Sequence, residues 1–543
     1  MSELGFIATG AAQAAIEKHV PVLVADAVAS RIAAKDATLW GDAARPEASI
    51  RLGWVDAAQT SAALVPQILA LRDELRAEGV NRIVLAGMGG SSLAPEVISA
   101  THDVELVVCD STEPEMIAGI LADRLATTAL VVSSKSGSTV ETDSQRRVFE
   151  QAFNDAGVDA ARRIIVVTDP GSPMDAASRA AGYRAVFNAD PNVGGRYSAL
   201  TAFGLVPTGL AGVDIEAFLE EAAAAAEFLA EDDEDNIALA LGAAMAGTDP
   251  LRNKLIFSDE GSGLVGFADW AEQLIAESTG KLETGVLPVV AEEHAPETTN
   301  TATDLLQIRL VADTGLLSDD DIDAAAASVC VSGSLGAQML LWEYATVIAG
   351  RLLGIDPFDQ PDVEAAKVAA RALLEATPEP VPAVLVEDAI EVRASEGLLD
   401  GISDLSGAVA ALLAQLPEDG YLSVQAYLDR FGDTSLESVR PALAALTGRP
   451  VTFGWGPRFL HSTGQFHKGG PRVGAYLQVT AESTMDLSIP DRPFTFGELI
   501  SAQASGDAKV LADLGRPVLR LHLRDKEAGI AQLDKIIAGL ASA

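Results

Sequence analysis

The segment WAEQLIAESTGK, at 270–281, spaces an amide, a carboxylate and an ammonium at Gln273, Glu277 and Lys281. Read as a helix, this i, i+4, i+8 pattern puts all three on one face. Trp270, Leu274 and Ile275 supply an apolar stripe, so by pattern alone the face could be only a surface Glu-to-Lys pair. Its company argues for chemistry. Upstream lie two glycine- and serine-rich turns, each after an apolar strand, and a basic GGRYS turn at 194–198. Downstream lie FDQPDVEAAK at 358–367 and LHSTGQFHKGG at 460–470. Together they read as a phosphate cradle facing acid/base groups.

The first turn, GMGGSSLAPE at 87–96, follows its strand directly. Glycines let the backbone approach an anion, and Ser91 or Ser92 can cap the next helix while its first N–H groups face a ligand. Ser92 stands where the dinucleotide fingerprint has its last glycine, so a nucleotide site is a poor match and an ordinary tight turn is the competing reading. The second turn, SSKSGSTVET from Ser133, follows TALVV, and Ser138 with Glu141 matches a capping box that would start a helix there. The hydroxyls and the lysine around Gly137 exceed what capping needs; hydroxyls, backbone N–H groups and one cation suit a phosphate monoester dianion.

The elements that must position these motifs alternate. RIVLAGM, ELVVCD, TALVVSS, RIIVVTD and YRAVF read as strands with helical stretches between most of them, which predicts an α/β fold with a mainly parallel sheet covered on both faces. The turns fall at strand carboxyl ends, where such folds collect ligands. Residues 1–80 are expected to be helical cover and 81–235 a first domain. A second domain begins at 236, with NKLIFSD, VLPVV and LQIRLVAD as strands and long helices from about 320 to 376. The run at 324–342, ionisable only at Cys330, reads as buried helix rather than a membrane span. PEPVP at 378–382 is a natural break, 385–447 is expected to be a helical insertion, and VTFGW, AYLQVT and RPVLRLHL return the chain to the second domain over 448–543.

At 543 residues and 48% apolar, the chain can bury two or three cores. A net charge of −40 repels nucleic acid and anionic membrane, so neither is expected as a partner and phosphate must be captured locally. Two cysteines, Cys109 and Cys330, are too few for a disulfide framework or a cysteine zinc site. The first residues lack a basic segment followed by an apolar one, so a cytoplasmic location is expected. His461 and His467 are six residues apart with no nearby cysteine, which is poor zinc spacing; His19, His102, His294 and His522 lie outside any motif.

The paired turns resemble the sugar isomerase domain family, and the full set, over about 80–520, is similar to the glucose-6-phosphate isomerase family. The resemblance implies two sugar-isomerase-type domains and a metal-independent, cofactor-free enzyme. Its reaction would be the reversible isomerisation of glucose 6-phosphate and fructose 6-phosphate through ring opening and a cis-enediol(ate), in glycolysis and gluconeogenesis. It implies that Ser134, Lys135, Ser136 and Thr139, with Gly90 and Ser91, hold the substrate phosphate, with Gln273 near it. Glu277 matches the base that moves the proton between C1 and C2, Arg196 the enediolate-stabilising arginine, Lys367 the lysine near the ring oxygen, and His461 the ring-opening histidine. The chemistry itself asks for this cast: one carboxylate can remove and return the proton, and a permanent cation steadies the enediolate. A histidine exchanges protons near neutrality, and a lysine supplies charge.

Each residue has a plainer alternative: Arg196 in a surface pair, Lys367 solvated on an alanine-rich helix, His461 in a core with His467 and Lys468 as the functional pair. The order of motifs also departs from the commoner form of the family, because FDQPDVEAAK precedes LHSTGQ. That order resembles the isomerase part of transaldolase and glucose-6-phosphate isomerase fusions, although the chain before the first strand is too short for a transaldolase barrel, so a single activity is expected. It leaves His294 as the substitute for His461. Two alternatives to the main reading are a dual isomerase that also takes mannose 6-phosphate and a non-catalytic sugar-phosphate-binding regulator, which would have no need of Glu277, Arg196, Lys367 and His461. The family resemblance also implies a homodimer.

Overall fold

The computed structural model describes residues 4–318, 321–376 and 381–542. The chain starts with a strand, β1 (Gly5–Thr9), then runs through helices to residue 77. The all-helical expectation for 1–80 is thus corrected at its start: five residues are too few to announce a strand, and GFIAT is set by pairing against a distant sheet edge.

The five expected strands of the first domain form β2 (Arg82–Gly87), β3 (Val107–Cys109), β4 (Thr128–Ser133), β5 (Ile164–Thr168) and β6 (Ala185–Asn188). They make an all-parallel sheet in the order β3-β2-β4-β5-β6. Their near-continuous apolar runs suit strands buried on both faces, and β2, β4 and β5 are buried throughout. The buried Cys109 thiol, pushed up to about 12 by burial, is inert packing.

The second sheet has the order β1-β10-β9-β7-β8, with β7 (Lys254–Glu260), β8 (Leu287–Val290), β9 (Leu305–Val311) and β10 (Ser328–Ser332) parallel and β1 antiparallel at the edge. The 324–342 run is not one buried helix. Its SVCVS portion is β10, and the helix Leu335–Leu353 starts after Ser334. Both pieces are buried on every side, over Ser328–Ser332 and Leu335–Gly350 alike, so no periodicity separates them. No described helix is long and apolar enough to cross a membrane.

The largest correction concerns 385–447. This stretch is not a helical insertion: it holds β11 (Leu385–Glu387), β12 (Ile390–Ala394) and β13 (Tyr421–Tyr427). With β14 (Val451–Trp455), β15 (Gly474–Ala481) and β16 (Val518–Leu523) they form a third, six-stranded sheet in the order β11-β12-β16-β15-β13-β14. Residues 448–542 therefore do not complete the second sheet. The cause is legible in β13: Leu422, Val424 and Ala426 enter an apolar cluster, whereas Ser423, Gln425 and Tyr427 on the other face are polar yet equally buried. A buried polar face looks like a solvated one in sequence. PEPVP falls largely outside the described residues. Overall the fold is α/β, with mostly parallel sheets flanked by helices.

Candidate active site

The helix Phe267–Thr279 carries Gln273 and Glu277. Trp270, Leu274 and Ile275 are buried, and Phe267 packs on Trp270 and Trp342, which fixes the rotation of the helix. Gly280 ends it, and a Cβ there would come within 2.4 Å of the Phe466 Cα. Lys281 therefore lies beyond the helix and does not share the Gln273–Glu277 face. Its ammonium is buried against the Asp356 and Asp359 carbonyls and the Asp359 carboxylate, at 2.6–2.7 Å, and burial, with Arg196 nearby, brings it down to about 8.

Around Glu277 three loops converge. Gln273 Nε2 donates to Glu277 Oε2 at 3.2 Å and to the His461 carbonyl at 2.7 Å, and Arg196 Nη1 lies 3.4 Å from Glu277 Oε1. Arg196 is buried and not a surface residue: it donates to Ser278 Oγ, to Gln360 Oε1 and to the Pro357 and Asp359 carbonyls. The Glu277 carboxylate thus sits beside a guanidinium whose aim is set by four other acceptors. Gln360, from the FDQPDVEAAK motif, was not singled out by the sequence reading.

The first glycine turn packs directly on this cluster. A Cβ on Gly90 would stand 1.9 Å from the Gly195 carbonyl oxygen, and Gly89, at φ +57°, would meet Gln273 Nε2 and the His461 carbonyl at 2.9 Å. Gly90→Ala is accordingly expected to push the GGRYS turn, and Arg196 with it, by enough to lower kcat/KM at least about 10-fold. Steady-state kinetics on the folded variant check this. Ser92 Oγ donates to the Gly89 carbonyl, and the helix Leu93–Thr101 has no side-chain cap, so neither Ser91 nor Ser92 caps it.

In the second turn Ser134 Oγ accepts from the Gly137 N–H at 3.1 Å and donates to Thr139 Oγ1 at 3.3 Å, and the Ser136 and Ser138 hydroxyls are 2.7 Å apart. The Lys135 ammonium is held by the Pro191 and Val193 carbonyls and lies 3.8 Å from Asp169. The Ser138–Glu141 capping box does not form. The helix Val140–Asp155 starts at an N-cap Thr139 with no side-chain bond, one residue later than the box requires, and Glu141 is engaged elsewhere. Its Oε1 lies 3.1 Å from His461 Nε2 and accepts from Gln503 Nε2 at 2.7 Å. Burial acts to raise this carboxyl, but the hydrogen bond to His461, with the Lys367 charge contributing, holds it below the usual range. Glu141 was missed as a site residue because the capping pattern explained it.

Lys367 is exposed on the helix Val363–Ala376. His294 is exposed beside Glu293, far less enclosed than His461. His467 is fully buried among Tyr421, Phe459 and Tyr476, and burial pushes its pKa well down; Lys468 pairs with buried Asp507 at 2.6 Å.

His461 ends the short 3-10 helix Arg458–His461, whose position a half-buried ionic cluster around the fully buried Asp110 sets. Arg458 meets Glu96 and Asp110, the latter at 2.8 Å, and Arg430 meets Glu96 at 2.9 Å and Asp110 at 3.2 Å. Burial alone would raise the Glu96 carboxyl, but Arg458 and Arg430 outweigh it and bring it from 4.5 to about 2. A carboxyl lowered in the folded state stabilises fully above its unfolded pKa, and that contribution is lost as pH falls through its folded one. Acid titration of stability should therefore show a loss between about pH 4.5 and 2 that is shallower in Glu96→Gln, measured by circular dichroism.

Comparison with known proteins places the chain. The family model described as phosphoglucose isomerase matches residues 75–286, which include both glycine turns, Arg196, Gln273 and Glu277 but neither Lys367 nor His461. A probable glucose-6-phosphate isomerase of Haloarcula marismortui is 31% identical over 348 residues, covering 55% of this chain and 79% of that protein. A second, of Halobacterium salinarum, is 32% identical over 328 residues, covering 52% and 76%. The solved structure of a hypothetical protein from Thermus thermophilus superposes with a TM-score of 0.57 at 25% identity, over 68% of this chain and 100% of that one. The class so defined is an isomerase on parallel α/β sheets. The chain belongs to the phosphoglucose isomerase family.

Proposed function

We propose that this enzyme interconverts glucose 6-phosphate and fructose 6-phosphate by ring opening and proton transfer through a cis-enediol(ate), serving glycolysis and gluconeogenesis. The observation that carries this is the Glu277 carboxylate set between Gln273 and buried Arg196, against the glycine turn and the His461 segment. The Ser134–Thr139 turn, with Gly90 and Ser91, takes the phosphate through hydroxyl and backbone N–H donors; Lys135 contributes positive charge. His461 transfers a proton between the anomeric hydroxyl and the ring oxygen, with Lys367 supplying charge there. Once the chain is open, Glu277 removes the proton from one of C1 and C2 and returns it to the other, while Arg196 balances the charge on the enediolate oxygens.

The test is conversion of fructose 6-phosphate to glucose 6-phosphate by purified protein in EDTA, read with coupled glucose-6-phosphate dehydrogenase. Turnover is expected; its absence with retained sugar-phosphate binding would favour a regulator. The enzyme is further proposed to act in the cytoplasm as a homodimer. Sedimentation equilibrium should give twice the 56.3 kDa chain mass, and a single-chain mass at assay concentration would refute the dimer.

A further inference from the structure

The polarity of the hydrogen bonds behind His461 is forced. An ionised carboxylate only accepts, so Gln503 must present its NH2 to Glu141 Oε1, at 2.7 Å, and its oxygen to the other side. There Thr112 Oγ1 lies 2.6 Å from Gln503 Oε1, and since an amide oxygen only accepts, the hydroxyl must donate. Thr112, Glu141 and Gln503 are all buried, so no water competes for these roles. Gln145, one turn after Glu141 on the same helix, donates to the Ser111 carbonyl at 2.8 Å and pins Thr112 against that helix. With Glu141 confined to accepting, the hydrogen on the 3.1 Å contact with His461 must come from Nε2.

We infer that Thr112 and Gln503 are positioning residues: their directed hydrogen bonds keep the buried Glu141 carboxylate in its ionised, accepting form, which fixes His461 as the Nε2–H tautomer and leaves Nδ1 as the atom that serves the sugar. A Glu141 protonated for want of that donor would instead give its own hydrogen to Nε2. This rests on the isomerase reading of His461. In ring opening, Nδ1 takes the proton of the anomeric hydroxyl while the electron pair of that O–H bond becomes the carbonyl. The ring C–O bond breaks toward its oxygen, which receives the proton back from Nδ1, and the imidazole ends as it began. Were the tautomer free to exchange, part of the protein would present an N–H where the base is needed. Neither Thr112 nor Gln503 belongs to any of the sequence motifs; the fold brings them together from β3's carboxyl end and the helix Phe496–Asp513.

The test is the tautomer itself, read from long-range ¹⁵N–¹H spectra of histidine-labelled full-length protein at neutral pH without substrate, with His461 assigned by the signal lost in His461→Asn. Nε2 should carry the proton and Nδ1 should be bare. Gln503→Met and Thr112→Val should admit the second tautomer and lower kcat on fructose 6-phosphate roughly 10-fold with little change in KM, and Thr112→Ser should restore both. A proton on Nδ1 in the parent would overturn the proposal, as would folded Gln503→Met and Thr112→Val proteins with the parent's spectrum. Thr112→Val, nearly isosteric, decides the matter if Gln503→Met does not fold. Because the spectrum needs no turnover, it separates failure of this proposal from failure of the isomerase reading.

Discussion

Glu277→Gln is expected to abolish most turnover, lowering kcat and kcat/KM together by about 10²–10⁴-fold with little change in binding. The amide keeps the volume of the carboxylate and can still meet Gln273, so the helix Phe267–Thr279 should hold its place. What is lost is the group that can accept a proton from carbon and return it. The substitution also leaves Arg196 without the 3.4 Å carboxylate contact, but its other acceptors, Ser278, Gln360 and the Pro357 and Asp359 carbonyls, remain. A rise in KM at unchanged kcat would instead assign Glu277 to binding. Steady-state kinetics in both directions distinguish the two.

The second large effect is expected at Arg458. Arg458→Met removes one of two guanidinium groups facing Glu96 and Asp110, and Asp110 is fully buried. Breaking a buried ion pair from one side leaves an uncompensated charge and costs about 3–5 kcal/mol, so urea denaturation should show the free energy of unfolding lowered by about that amount, with the midpoint falling and the slope unchanged. The variant should also lose activity, since Arg458 begins the short helix that ends in His461. Replacing Arg458 and Asp110 together with apolar residues should recover part of the stability without recovering the activity. Equal recovery of both would show that the cluster does not position His461.

The first sheet was fully legible because RIVLAG, TALVVS and IIVVT are near-continuous apolar runs, as strands covered on both faces tend to be. The positions of the Glu277 helix and the two turns followed from the same logic, since strand ends and glycines announce themselves locally. The third sheet did not. Ser423, Gln425 and Tyr427 are buried by helices that arrive from far along the chain, and nothing local distinguishes them from a solvated face. Within the site, Gln273 and Glu277 shared a helix face as their spacing required, but Lys281 fell past a helix end that Gly280 sets and was drawn to Asp359. Glu141 was hidden by a plausible capping role, and Gln503 and Thr112 by sequence distance: 391 residues separate two side chains 2.6 Å apart.

The central claim is that Glu277 carries a proton between C1 and C2. Its most direct measurement is the deuterium content at C2 of glucose 6-phosphate formed from fructose 6-phosphate in D2O, followed by NMR in the parent and in Glu277→Gln. A proton held on a carboxylate exchanges in part with solvent before it is returned, so the parent should place a fraction of deuterium at C2 and the variant should form almost none of the labelled product. Product without deuterium from the parent, or labelled product from Glu277→Gln at the parent's rate, would contradict the assignment.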